Sequence, residues 1–159
     1  MSEPDRRQVD ETGETRHESE SESESEENEE DPVFKLITKN NFEAVREVLT
    51  TDRSIVNRSF DDFSLLHHAI SLIHIPSSES AAVIEMVKLL LSHGASVNSR
   101  AYNFETPLHE ASRDGNGDGG EKMCELLLTN GARFNLTDDR GYSALHITRN
   151  VGVVKTLIR

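Results

Sequence analysis

Beyond residue 32 the apolar side chains recur at the spacing of a helix face. Phe42, Val45, Val48 and Leu49 form one stripe, Val87, Leu90 and Leu91 another, and Cys124, Leu127 and Leu128 a third. Each follows the three-and-four-residue period of an amphipathic helix. Gly94 and Gly131 follow the second and third stripes, where a left-handed residue ends a helix. A second pattern stands before these stripes: Ser64-Leu65-Leu66-His67, Thr106-Pro107-Leu108-His109 and Ser143-Ala144-Leu145-His146. Its leading hydroxyl residue suits a helix N-cap, and Pro107 suits a first helical turn because its missing N–H loses no bond. Asp31-Pro32 opens an earlier unit in the same way. The chain therefore reads as helix pairs repeated along its length.

The shared [Ser/Thr]-x-Leu-His core, the triple leucines Leu89–Leu91 and Leu126–Leu128, the pairs Gly94-Ala95 and Gly131-Ala132, and Asn57, Asn98 and Asn135 closing successive units resemble the ankyrin repeat. The resemblance implies an all-α solenoid of stacked helix-turn-helix units with short β-hairpin fingers. It places repeats at residues 32–57, 58–98, 99–135 and 136–159, after an acidic tail over 1–31, and leaves the first repeat without a hairpin. His67 to His109 spans 42 residues and His109 to His146 spans 37, so two inserts interrupt the family period. The first carries Leu72, Ile73 and Ile75 before Pro76. It predicts a first helix longer by about one turn, with Ser77 or Ser78 capping its partner. The last unit is short between Thr148 and Val153, and Leu157 and Ile158 are expected to be partly exposed. Such an end belongs to an isoform or fragment, or is covered by a partner.

Charge separates the tail from the repeats. Residues 1–32 carry 14 Asp/Glu against three Arg, a net −11, and only Met1 and Val9 are apolar, whereas the whole chain sums to −12. From Glu18 to Asp31, nine of fourteen residues are acidic. Such a segment repels itself and has nothing apolar to bury, so disorder is expected. Ser19, Ser21 and Ser23 each precede a Glu by three residues. They resemble sites of acidophilic kinases and are phosphorylation candidates. Glu11-Thr12-Gly13-Glu14 is similar to a turn bound by Kelch-propeller ubiquitin-ligase adaptors. A near-neutral body and an acidic tail argue against nucleic acid as a partner, and no apolar run is long enough for a membrane span. The lone Cys124 and the polar N-terminus fit a cytoplasmic or nuclear protein.

No catalytic constellation is legible, and no metal or cofactor is expected. His67, His109 and His146 fall once per repeat, too far apart to share an ion. The resemblance gives them hydrogen bonds within and between repeats. His93 suits a helix C-terminus, and Cys124 falls on a core position. One alternative of another class is a calcium-responsive module, because Asp114, Asn116, Asp118 and Glu125 satisfy the spacing of an EF-hand loop over residues 114–125. Against it stand Glu121 at an apolar position and Lys122 beside the site.

The resemblance implies a protein partner bound on fingertips and first-helix faces. Carried over by position, these are Phe60, Asp61 and Phe63; Tyr102, Asn103 and Glu105; Asp139, Arg140 and Tyr142; and Ser71, Arg113 and Asp114 on the helices. Phe60 and Phe63 could instead pack between fingers. Asp62 and Phe104 replace the family glycine that Gly141 keeps, so altered turns are expected in two fingers. The expected role is a non-catalytic adaptor or inhibitor, monomeric on its own. Inhibitors of Rel-type transcription factors and of cyclin-dependent kinases are the nearest comparisons by architecture.

Overall fold

A computed structural model describes residues 31–74, 80–113 and 118–158. Helix α1 (Pro32–Thr38) starts at Asp31, whose carboxylate accepts the Val33 N–H at 2.9 Å, with Pro32 in its first turn. Asn40, at φ 52°, reverses the chain into α2 (Phe42–Thr51), which Asn41 caps through the Ala44 N–H. A 3-10 turn, Arg53–Asn57, closes this first layer.

The second layer opens with a hairpin. Strand β1 (Ser59–Phe60) pairs antiparallel with β2 (Phe63–Ser64), setting Phe60 opposite Phe63. Helix α3 (Leu65–Ser71) follows and runs on through a 3-10 turn, Leu72–His74, which is the extra turn expected from the first insert. Its partner is α4 (Ser80–Ser92); Ser77 and Ser78 lie outside the described residues. The third layer pairs α5 (Pro107–Ser112) with α6 (Asp118–Thr129), and the fourth holds α7 (Ala144–Ile147) and α8 (Val151–Leu157). Gly94 and Gly131 terminate α4 and α6 at φ 93° and 89°, conformations that a side chain would strain. The described residues thus build an all-α solenoid with short β fingers.

First helices stack in one row, α1 on α3 on α5 on α7, and second helices α4, α6 and α8 in another. Within a layer, α1 packs on α2, α3 on α4 and α5 on α6. The predicted stripes supply the core: Val45, Leu49, Val87, Leu90, Cys124 and Leu127 have no exposed surface. Burying each larger aliphatic is worth about 1.5–3 kcal/mol against leaving it in water. No layer could do this alone, because each covers the apolar side of the next.

Polar side chains stitch the layers together. The Asn57 amide donates to the Gly94 carbonyl at 3.2 Å and accepts the Ser96 N–H at 2.8 Å. One layer on, Asn98 donates to the Gly131 carbonyl at 3.0 Å and accepts the Arg133 N–H at 2.8 Å. The histidines act on the other side. Nδ1 of His109 accepts the Thr106 N–H at 3.1 Å and lies 2.8 Å from the Thr106 hydroxyl, completing a capping box. With Nδ1 accepting, Nε2 carries the proton and donates to the Tyr142 carbonyl of the next layer at 3.0 Å. His67 repeats the arrangement, with Nδ1 2.7 Å from the Ser64 hydroxyl and Nε2 3.2 Å from the Glu105 carbonyl. At the C-terminal end Leu157 is buried by the α6–α8 contact, against expectation, whereas Ile158 is 66% exposed.

Two tests follow from this stitching. Asn98→Ala removes two interlayer hydrogen bonds and should cost about 1–2 kcal/mol, read as a lower urea midpoint at unchanged slope. Burial holds the His67 imidazole below its ordinary pKa, outweighing the hydrogen bond to the Glu105 carbonyl. The unfolded chain therefore takes up a proton near pH 6.5 that the folded chain refuses. Stability should be full above that pH and decline as pH falls from it toward the lower folded-state value. Urea midpoints between neutral and mildly acidic pH should show the slope, and His67→Gln should flatten it.

Candidate functional site

Three fingers project from the second, third and fourth layers. The first is a two-residue hairpin loop in which Asp61 and Asp62 both have positive φ, 49° and 60°, as a type I′ turn needs. The other two share one geometry. Ala101 N–H donates to the Glu105 carbonyl at 2.9 Å and Phe104 N–H to the Ala101 carbonyl at 2.8 Å; Asp138 N–H to Tyr142 and Gly141 N–H to Asp138 repeat it at 2.9 and 3.2 Å. Phe104 has φ 60° where Gly141 has 83°. The altered turn expected at Phe104 is absent, because Phe104 takes up the left-handed backbone that Gly141 does; the finger of Asp62 is altered, with two left-handed residues in a two-residue loop. For Asp the penalty is small, because its short polar side chain tolerates this region; for Phe it is about 1–2 kcal/mol.

The strain at Phe104 puts an aromatic ring at a fingertip. That ring is 51% exposed, with the Arg100 guanidinium 5.4 Å from its centre. Tyr102 beside it is 85% exposed. On the next finger Tyr142 is 51% exposed and tilts over His146, with ring centres 6.0 Å apart. A backbone bond ties the two fingers, from the Asp139 N–H to the Asn103 carbonyl at 3.0 Å. Tyr102, Phe104 and Tyr142 therefore stand on adjacent, linked turns. The sequence reading missed Phe104 as a surface residue; the signal was a bulky side chain at the glycine position.

Other candidates are placed differently. Phe60 is half-buried against Phe34 of the first layer, 5.9 Å between ring centres, and Phe63 packs on His67 at 5.2 Å. Both serve the fold, though not by packing between fingers as the alternative had it. Glu105 is buried and ion-paired with Arg113, which also holds Glu110 at 3.2 Å, so neither Glu105 nor the Arg113 head group is a bare fingertip contact. The carboxylate turns inward because Arg113, one helix length along, neutralises it beneath the finger. Ser71 is half-buried and donates its hydroxyl to the His68 carbonyl at 2.8 Å. Asp61, Asp139 and Arg140 are exposed, and Asn103 is half-buried. Asp114, the serines Ser19, Ser21 and Ser23, and Glu11–Glu14 lie outside the described residues.

Among the described residues no three His, Cys, Asp or Glu converge on a common point. Of the calcium pattern, residues 114–117 lie outside the described residues, and from Asp118 on it is helical in α6. Cys124 is buried, 3.6 Å from the Ser112 hydroxyl. No helix among the described residues is long and apolar enough to cross a membrane.

Comparison with known proteins agrees with this architecture. Residues 71–138 match the family model "Ankyrin repeats (3 copies)". The chain carries an ankyrin-repeat array. It is 29% identical over 150 positions to the ADP-ribosylation factor GTPase-activating protein AGD4 of Arabidopsis thaliana, covering 74% of this chain and 19% of that protein. The similarly named AGD2 of the same plant is 25% identical over 152 positions, with the same coverage. An ankyrin repeat protein of fowlpox virus (strain NVSL), FPV034, is 32% identical over 114 positions, covering 70% of this chain and 26% of its own. The chain spans about a fifth to a quarter of the length of these relatives. Ankyrin arrays imply a protein-interaction module.

The strain at Phe104 is measurable. Phe104→Gly should raise stability by about 0.5–1 kcal/mol, the relief of the left-handed penalty less the lost contact with Arg100. Equilibrium urea unfolding of the two proteins checks it; an unchanged or lower midpoint would refute the strain.

Proposed function

We propose that this ankyrin array acts as a non-catalytic adaptor or inhibitor that occupies a partner protein through the fingertips of its third and fourth layers. The observation that carries this reading is the aromatic group Tyr102, Phe104 and Tyr142, exposed on two hydrogen-bonded turns. A phenylalanine kept in a strained backbone conformation, yet half exposed, adds nothing to the core that would offset its cost. Rigid aromatics of this kind supply large contact area at little entropic loss and dominate interface energetics. Exposed Arg100 and Arg140, with exposed Asp61, Asp62 and Asp139, give the rim both signs of charge. Such a rim orients a partner more than it adds affinity.

The action is competitive occupation or scaffolding, with no bond made or broken. The acidic serine tract would serve as an adjustable extension: each phosphate at Ser19, Ser21 or Ser23 adds about −1.5 to −2 charges and strengthens attraction to a basic partner surface. A buried, reduced Cys124 suits a cytoplasmic or nuclear setting.

Affinity purification with the full chain tests the proposal. Tyr102→Ala/Tyr142→Ala should abolish capture of the partner, each side chain contributing about 2 kcal/mol or more if it is a hot spot. Both side chains are exposed, so the melting temperature should move little. A partner retained undiminished by the double variant would overturn the fingertip reading.

A further inference from the structure

The aromatic fingertips sit in an uneven field of charge. Of the charged residues on the three fingers, Arg58 is ion-paired with Asp31 at 2.9 Å and Glu105 with Arg113. The others are Asp61, Asp62, Asp138 and Asp139 against Arg100 and Arg140, a net −2. Both of these arginines lie on the second and third fingers. The first finger holds Asp61 and Asp62 side by side, both exposed and neither ion-paired among the described residues. Like charges on neighbouring turn residues repel each other, and exposed side chains add nothing to the core.

The second finger shows which group its rings accept. The Arg100 guanidinium already stands 5.4 Å from the centre of the Phe104 ring, and below it Arg113 reaches both Glu105 and Glu110. Guanidinium groups therefore engage both an aromatic ring and the carboxylates of this layer from within the chain. Tyr102, 85% exposed, and Tyr142, 51% exposed, present rings of the same kind outward.

We propose, on the basis of the fingertip site argued above, that the partner presents an arginine-bearing segment, whose guanidinium groups stack on Tyr102 and Tyr142 and pair with Asp61 and Asp62. Arginine suits the surface better than lysine, because its planar head lies flat on a ring while its N–H edge forks onto a carboxylate. An acidic segment would meet the carboxylates of the tips and then the net −11 of residues 1–32. An uncharged apolar segment would strip water from Asp61 and Asp62 and give them no counter-charge. The acidic residues at the N-terminus act at longer range, raising the rate of encounter with a cationic partner as salt is lowered.

The chain has two tyrosines, Tyr102 and Tyr142, and no tryptophan, so its tyrosine emission arises from these fingers and not from the acidic segment. A short Arg-Gly repeat peptide, added to the full chain in excess of its acidic groups, should change that emission saturably. A Lys-Gly peptide of equal length should bind more weakly, and a Glu-Gly peptide should leave the emission unchanged. Asp61→Asn/Asp62→Asn should weaken the Arg-Gly response about fivefold or more with the melting temperature little moved, since asparagine tolerates the left-handed turn. No response to Arg-Gly, an equal response to Lys-Gly or Glu-Gly, or undiminished binding by the double variant would each overturn arginine recognition. Affinity capture separates this from the fingertip reading itself. A partner lost by Tyr102→Ala/Tyr142→Ala but fully kept by Asp61→Asn/Asp62→Asn leaves the site standing and overturns the arginine; a partner kept by both variants overturns the two together.

Discussion

A helix pair of this chain has more apolar surface than it can hide within itself. Ile70, Val87 and Leu90 of the second layer are fully buried in a layer that α5 and α6 pack against, and those helices are met in turn by α7 and α8. Every other feature of the molecule is subordinate to that dependence. The cost of ordering each layer is met across its borders, so the borders are where the sequence places its most specific chemistry. The asparagine clasps and the histidine bridges both cross a border, and both use side chains to satisfy backbone groups of loops that have no ladder of their own.

These polar bridges also fix register. An apolar face tolerates some sliding, since dispersion and burial are not directional. A hydrogen bond from Nε2 of His109 to one particular carbonyl does not tolerate it. The ring must turn Nδ1 toward Thr106 and Nε2 toward Tyr142 to make both of its bonds, which is how a side chain comes to serve as a structural pin. The ion pairs from Arg113 to Glu105 and Glu110 do the equivalent beneath the third finger.

Much of this was legible in the one-dimensional pattern, for physical reasons. Helical periodicity records burial directly, so the stripes at Val45, Val87 and Cys124 led to helices whose inner faces they form. The terminators Gly94 and Gly131 record a backbone requirement and were equally plain. What escaped was information that depends on which chain neighbours meet in space. Nothing local marks Asn98 as a clasp on residues more than thirty positions ahead. Glu105 read as a surface acid until Arg113 was brought beneath it. Phe60 read as a fingertip until Phe34 of the previous layer covered one side. The turn at Phe104 misled in the opposite sense: a bulky residue suggested a changed backbone, whereas the finger kept its shape and absorbed the strain.

The hydrogen bond from Asp139 to Asn103 has a bearing on recognition that neither finger has alone. It joins two turns into one plate, so that the backbones carrying Tyr102 and Tyr142 are held to one another. On the proposed reading, a partner would meet two turns whose backbones are already joined, with less freedom left to surrender on contact. Discrimination would then rest on whether an incoming surface fits a template whose backbone is set beforehand, as a gauge block accepts or rejects a part.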